Sequence, residues 1–132
     1  MASQNNALDG QSLRASLTVR DIAQSLAWYR DALGFAVDHE FARDGRVFAI
    51  SLRAGSVRVL LTQDDGSRGT DRVKGEGFSL SIVTTQDLDA IGQRVAEHTG
   101  TAVAAEDSRF GRVLRLQDPD GFRFVLMPEP RA

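Results

Sequence analysis

The segment Arg14-Ala15-Ser16-Leu17-Thr18-Val19 returns in pattern as Gly77-Phe78-Ser79-Leu80-Ser81-Ile82. Leu17 and Leu80 stand 63 positions apart in a chain of 132 residues, and each copy runs on into a helical pattern. A repeat of about half the chain marks one supersecondary unit used twice, with neither half able to bury its apolar face alone. The fold must therefore seat two like halves on one core. With 42% apolar residues, the chain has enough apolar surface for a single globular domain.

Within the first copy, Ala15, Leu17 and Val19 alternate with Arg14, Ser16 and Thr18, the period of two of a half-buried strand. Asp21 fits an N-cap, and Ile22, Leu26, Tyr29 and Leu33 recur at helical spacing up to Gly34, a C′ residue. Phe35 to Phe41, Val47 to Leu52 and Val57 to Leu61 read as three strands separated by Arg43-Asp44-Gly45 and Ala54-Gly55-Ser56. The polar stretch 63–76 reads as a linker between units 13–62 and 77–128, and residues 1–12 as a polar tail. The second unit repeats the order. Phe78, Leu80 and Ile82 face one way, and a helix from about Asp87 to His98 carries Leu88, Ile91 and Val95 and ends at Gly100. Strands then follow at Ala102 to Ala105, Arg112 to Leu116 and Phe122 to Met127. Asp118-Pro119-Asp120-Gly121 joins the last two, with Pro presetting φ and Gly taking the position that needs positive φ.

Composition removes several function classes. No cysteine is present, which excludes thiolate metal sites and fits a reducing compartment. A net charge of −2 without a basic run gives no pull toward nucleic acid. No apolar stretch reaches the length of a membrane span and no signal-like segment opens the chain, so a cytoplasmic protein is expected.

Residues 17–35, Leu-Thr-Val-Arg-Asp-Ile through Trp28-Tyr29 to Leu33-Gly34-Phe35, resemble the first strand–helix signature of the vicinal oxygen chelate superfamily. That superfamily includes glyoxalases, bleomycin-resistance proteins and extradiol dioxygenases. Asp118-Pro119-Asp120-Gly121 resembles its late turn, and the likeness covers residues 13–128. It implies an α+β fold in which two tandem βαβββ units curl into a trough of curved mixed sheets. Catalytic members hold a divalent metal there on four side chains, typically His or Glu/Gln. Carried over, the first position falls on Arg14, the second near Leu60, the third on Gly77 or Phe78, and the fourth on Val125. Arginine has no acceptor, and Leu, Gly, Phe and Val offer no donor atom to a cation. Neither a metal nor another cofactor is therefore expected.

Other candidates are weaker. His39 beside Glu40 lies on a strand, where neighbours point to opposite faces, and His98 suits the negative end of its helix. Tyr29 lies on the apolar stripe and Trp28 one step off it, so packing explains the first, and a sheet edge or subunit contact the second. No catalytic triad, phosphate loop or paired-carboxylate motif is present. By alternation the trough face collects Arg14, Ser16 and Thr18; Arg58, Leu60 and Thr62; Ser79 and Ser81; Arg115 and Gln117; Arg123, Val125 and Met127. Arginines and hydroxyls around an apolar patch suit a ligand with anionic or carbonyl groups and an apolar body.

The expectation is thus a metal-free protein of the bleomycin-resistance type that sequesters a small molecule. Its competitors are a glyoxalase-like lyase, isomerase or transferase using a displaced metal or arginine electrostatics, and a module with a vestigial trough. The resemblance also implies a homodimer, its troughs built within one chain or by exchange between two.

Overall fold

The computed structural model describes residues 8–67, 69, 77 and 79–129. The first unit runs β1 (Arg14–Val19), α1 (Ile22–Ala27) extended by a π-helical turn (Trp28–Ala32), β2 (Ala36–Arg43), β3 (Arg46–Ala54) and β4 (Val57–Gln63). The second runs β5 (Leu80–Val83), α2 (Leu88–Thr99), β6 (Glu106–Ser108), β7 (Gly111–Gln117) and β8 (Arg123–Met127). Each unit closes one four-stranded sheet, in the orders β1-β4-β3-β2 and β5-β8-β7-β6. In each, the first and last strands pair in parallel and the remainder antiparallel. The repeat spacing survives in three dimensions. Leu17 pairs with Leu61, and 63 positions on, Leu80 pairs with Phe124.

Alternation sets which face is buried. Leu17, Val19, Val59 and Leu61 of the first sheet and Leu114, Leu116, Phe124 and Leu126 of the second belong to one apolar cluster with both helices. The halves thus share a core through their helix-covered faces. Their meeting point is the π-helical turn against α2, where Arg94 Nε donates to the Asp31 carbonyl at 3.0 Å. Among the described residues no helix is long and apolar enough to cross a membrane.

The helix ends follow the expected chemistry. Asp21 accepts from the amides of Ala23 and Gln24, Asp87 from that of Asp89, and Gly34 and Gly100 have left-handed φ of 85° and 76°. Three expectations change. First, the buried face of the first helix is Ser25, Trp28, Tyr29 and Ala32, while Ile22, Leu26 and Leu33 are only half-buried. Ser25, Trp28, Tyr29 and Ala32 stand at i, i+3, i+4 and i+7, a regular helical stripe turned slightly from the one that Ile22, Leu26 and Leu33 mark, so the core takes both aromatics. The Leu33 amide bonds back to the Trp28 carbonyl in the π-helical turn that ends the helix. Second, 102–105 is not a strand, and pairing begins only at Glu106 opposite Val113. The Val103 carbonyl lies against Gly92 of α2, only 3.0 Å from where a Cβ there would sit, so the segment packs on the helix instead. Third, Gln63 belongs to β4 and not to the linker. Its side chain takes the Ile22 amide at 2.9 Å and donates to the Arg20 carbonyl at 2.7 Å. Most of 63–76, and Phe78, lie outside the described residues.

Candidate functional site

The aspartates of the late turn organise the junction between the units. Asp118 Oδ1 accepts the amides of Asp120 and Phe122 at 2.9 and 2.8 Å, which tightens the turn, and Gly121 completes it with φ 93°. The other oxygen, Oδ2, accepts the Tyr29 hydroxyl at 2.6 Å. Tyr29 is fully buried, and Asp118 is 5% exposed. Burial raises the Asp118 pKa, opposed by the Tyr29 hydroxyl and the two amides. Burial, then the neighbouring Asp118 charge, pushes the Tyr29 hydroxyl far above its ordinary value. Asp120 in turn accepts the Arg20 amide at 2.9 Å, the Arg20 guanidinium at 3.3 Å and the Ser25 hydroxyl at 3.4 Å. Both carboxylates of this turn therefore serve the first unit's helix.

Beside this junction an open cleft of about 1350 Å³ lies between the first helix, the end of α2 and the second sheet. Trp28, Leu116 and Phe124 give it an apolar floor. Trp28 stacks edge-on against Tyr29 at 4.8 Å and tilts over Phe124 at 6.3 Å. Ser79, Arg115, Gln117, Arg123 and Val125 line one wall, and Gln24, Asp31 and His98 the other. The volume exceeds the roughly 300–1,000 Å³ of typical small-molecule pockets.

Five residues of the expected trough face, Ser79, Arg115, Gln117, Arg123 and Val125, thus share this cleft. Arg14, Ser16, Thr18, Arg58 and Leu60 do not line it. They lie together on the outer face of the first sheet, with Arg14 beside Arg58 and Ser16 beside Leu60. Ser81 pairs with Val125 without reaching the cleft. One chain therefore separates the expected trough into two surfaces, because the units share their helix faces and not their outer faces. Two of the four arginines have acidic partners. Arg115 bonds Glu106 at 3.0 Å, and Arg58 lies 3.6 Å from Asp38. Arg14 and Arg123 form no ion pair with another described residue. Gln24, Asp31 and His98 were not foreseen as lining residues. Trp28, expected at a sheet edge or subunit contact, is instead buried on the stripe it shares with Ser25, Tyr29 and Ala32. His98 also bonds the Arg94 carbonyl through Nδ1 at 3.0 Å, as its place at a helix end suggests.

The metal positions carried over from the resemblance do not fit a cation. Arg14 meets a second arginine, Leu60 and Val125 present hydrocarbon, and Gly77 has no side chain. Among the described residues no three His, Cys, Asp or Glu side chains converge on a metal-sized site.

A family model described as Glyoxalase/Bleomycin resistance protein/Dioxygenase superfamily matches residues 11–126. The fold is similar to that of a glyoxylase/bleomycin resistance protein/dioxygenase domain from Frankia sp. EAN1pec, with TM-score 0.71, 27% identity, and 93% of this chain and 94% of that one covered. It also resembles TnmS3, an antibiotic binding protein from Streptomyces sp. CB03234, with TM-score 0.68, 20% identity, and 95% and 100% of the two chains covered. A third likeness is to the bleomycin-binding protein of bleomycin-producing Streptomyces verticillus, solved with copper(II)-bleomycin. Here the TM-score is 0.67 and identity 21%, over 92% of this chain and 98% of that one. Among curated proteins no match was found.

Proposed function

The chain belongs to the glyoxalase/bleomycin resistance protein/dioxygenase superfamily, and from that premise we propose that it binds a small molecule without a metal and without chemistry. One observation carries the proposal. The cleft pairs an apolar floor of Trp28 and Phe124 with the guanidinium of Arg123, which has no acidic partner among the described residues. A ligand with a flat apolar body and a carboxylate, phosphate or carbonyl edge satisfies both parts, since arginine grips such groups with two parallel donors. Sequestration needs only this, and the positions where catalytic relatives hold metal carry no donors. The antibiotic-binding and bleomycin-binding structures of similar fold support the same reading.

The protein acts as a homodimer in this proposal. Val37, Phe41, Val47 and Phe48 are exposed on the β2–β3 ribbon, and a second copy is the partner that covers them. The cysteine-free composition supports a reducing compartment such as the cytoplasm.

Trp28 is the only tryptophan, so its fluorescence reports on the cleft directly. Chelator-treated protein is titrated with aromatic carboxylates and carbonyl-rich natural products. Saturable quenching that weakens in Arg123→Ala and is indifferent to chelation is the expected result. Stoichiometric uptake of zinc, nickel, manganese or iron in calorimetry, or quenching that requires one of them, overturns the proposal.

A further inference from the structure

The two walls of the cleft do not offer a ligand the same chemistry. Arg115 and Arg123 on the second sheet present only donors, since a guanidinium has no acceptor. The opposite wall carries Gln24, Asp31, His98 and Thr99. Arg30 already holds both oxygens of Asp31, at 2.8 and 3.1 Å. The Thr99 hydroxyl donates to the Val95 carbonyl at 2.8 Å and accepts the Thr101 amide at 3.2 Å. Gln24 ends in an amide that both donates and accepts, so it selects neither kind of partner. His98 does select. Its Nδ1 lies 3.0 Å from the Arg94 carbonyl, one turn earlier in α2. A carbonyl oxygen only accepts, so in the neutral ring Nδ1 carries the hydrogen and Nε2 is left as a bare acceptor. Nε2 has no hydrogen-bond partner among the described residues. The helix thus fixes the tautomer of an exposed ring before any ligand arrives.

We propose that His98 is a specificity-determining residue of the cleft, its Nε2 accepting a hydrogen bond from a hydroxyl on the ligand edge remote from the anionic group that Arg123 holds. This role rests on the cleft being the binding site. It narrows the ligand class from aromatic carboxylates at large to those that carry a donor at the opposite end of the ring system. An ether oxygen in the same place would set one lone pair against another and gain nothing. On an exposed wall, where water competes, such a bond is worth about 3- to 10-fold in affinity.

Three probes share one apolar body and one carboxylate: 2-naphthoate, 6-hydroxy-2-naphthoate and 6-methoxy-2-naphthoate. Each is titrated calorimetrically into the full chain at about pH 7.5, on the neutral side of histidine's range. The hydroxy probe should bind about 3- to 10-fold more tightly than the other two. His98→Phe, which keeps a ring and loses both nitrogens, should erase that preference, and Arg123→Ala should weaken all three probes alike. The nitrogen resonance of His98 Nε2, followed by NMR, should move with the hydroxy probe only. His39, the only other histidine and no part of the cleft lining, is the internal control and should not move. A hydroxy probe bound no more tightly than the methoxy one, a preference that survives His98→Phe, or an unmoved His98 resonance overturns the role of His98 and leaves the cleft standing. Probes that all fail to bind, or that bind Arg123→Ala as well as the parent, overturn the cleft itself and the role of His98 with it.

Discussion

Replacing Tyr29 by Phe removes one oxygen from a fully buried ring and leaves every apolar contact in place. Among the described residues the hydroxyl it removes is the sole side-chain donor to Asp118 Oδ2, at 2.6 Å, whereas Oδ1 keeps the amides of Asp120 and Phe122. A buried hydrogen bond to a carboxylate contributes about 1.5–3 kcal/mol, and an orphaned acceptor costs its desolvation. The expected loss is therefore about 2 kcal/mol at pH 7, or ~6–10 °C in Tm for a domain of this length. Urea unfolding measures it as a lower midpoint at unchanged slope. The pH dependence gives a sharper test. Asp118 has a raised pKa, so the folded state holds its proton more tightly than the unfolded chain does. The stability this supplies is whole below the ordinary carboxylate range and is lost as pH rises through the raised value. The Tyr29 hydroxyl opposes that rise, so in Tyr29→Phe the pKa climbs further and the variant recovers relative to the parent on acidification. Its deficit should be smaller at pH 4 than at pH 7. It should shrink again above pH 10, where the parent alone must keep a buried tyrosine neutral while its unfolded chain ionises. A cost under about 0.5 kcal/mol at pH 7, or a deficit that stays flat between pH 4 and 7, would refute the reasoning.

Asp120→Ala strands the Arg20 amide and the Ser25 hydroxyl, and a loss of about 2 kcal/mol in urea unfolding is expected. Gly92→Ala should destabilise despite alanine's better helix propensity. Its Cβ would meet the Val103 carbonyl at 3.0 Å, and the same unfolding assay should show a lower midpoint, not a gain of about 1 kcal/mol. Arg14→Gln relieves repulsion with Arg58, directly beside it on β4, without breaking an ion pair among the described residues, so a slightly raised Tm is expected from calorimetry. Trp28, at 9% exposure, should emit at the blue end of the tryptophan range in the ligand-free protein, and a water-like emission maximum would place it elsewhere.

Local signals carried most of the architecture. Asp21, Gly34, Asp87 and Gly100 mark helix ends by side-chain and φ chemistry that acts within a few residues. The alternation around Leu17 and Leu80 likewise locates the parallel edge of each sheet. What escaped was set by packing between distant parts. Trp28 turns inward to pack on Phe124 of the second sheet, and 102–105 loses its strand to contact with α2. The candidate site divided for the same reason. Ser79, Arg115, Arg123 and Val125 gather on the cleft, while Arg14 and Arg58 lie on another surface, because residue alternation tells which face of a strand is wet but not which two faces meet.

The turn at 118–121 shows how a duplicated chain ceases to be symmetrical. Its counterpart between β3 and β4, Ala54-Gly55-Ser56, has the same place in the topology but no carboxylate. All the donors, Tyr29, Arg20 and Ser25, stand in the earlier half, and both acceptors in the later one. At this turn the dependence runs one way, while at the helix contact Arg94 of the later half donates to the Asp31 carbonyl of the earlier one. Expressed alone, the later half would have two carboxylates with fewer partners, and the earlier half would lose the acceptors that Tyr29 and Ser25 use. Copying either half would therefore not regenerate the whole.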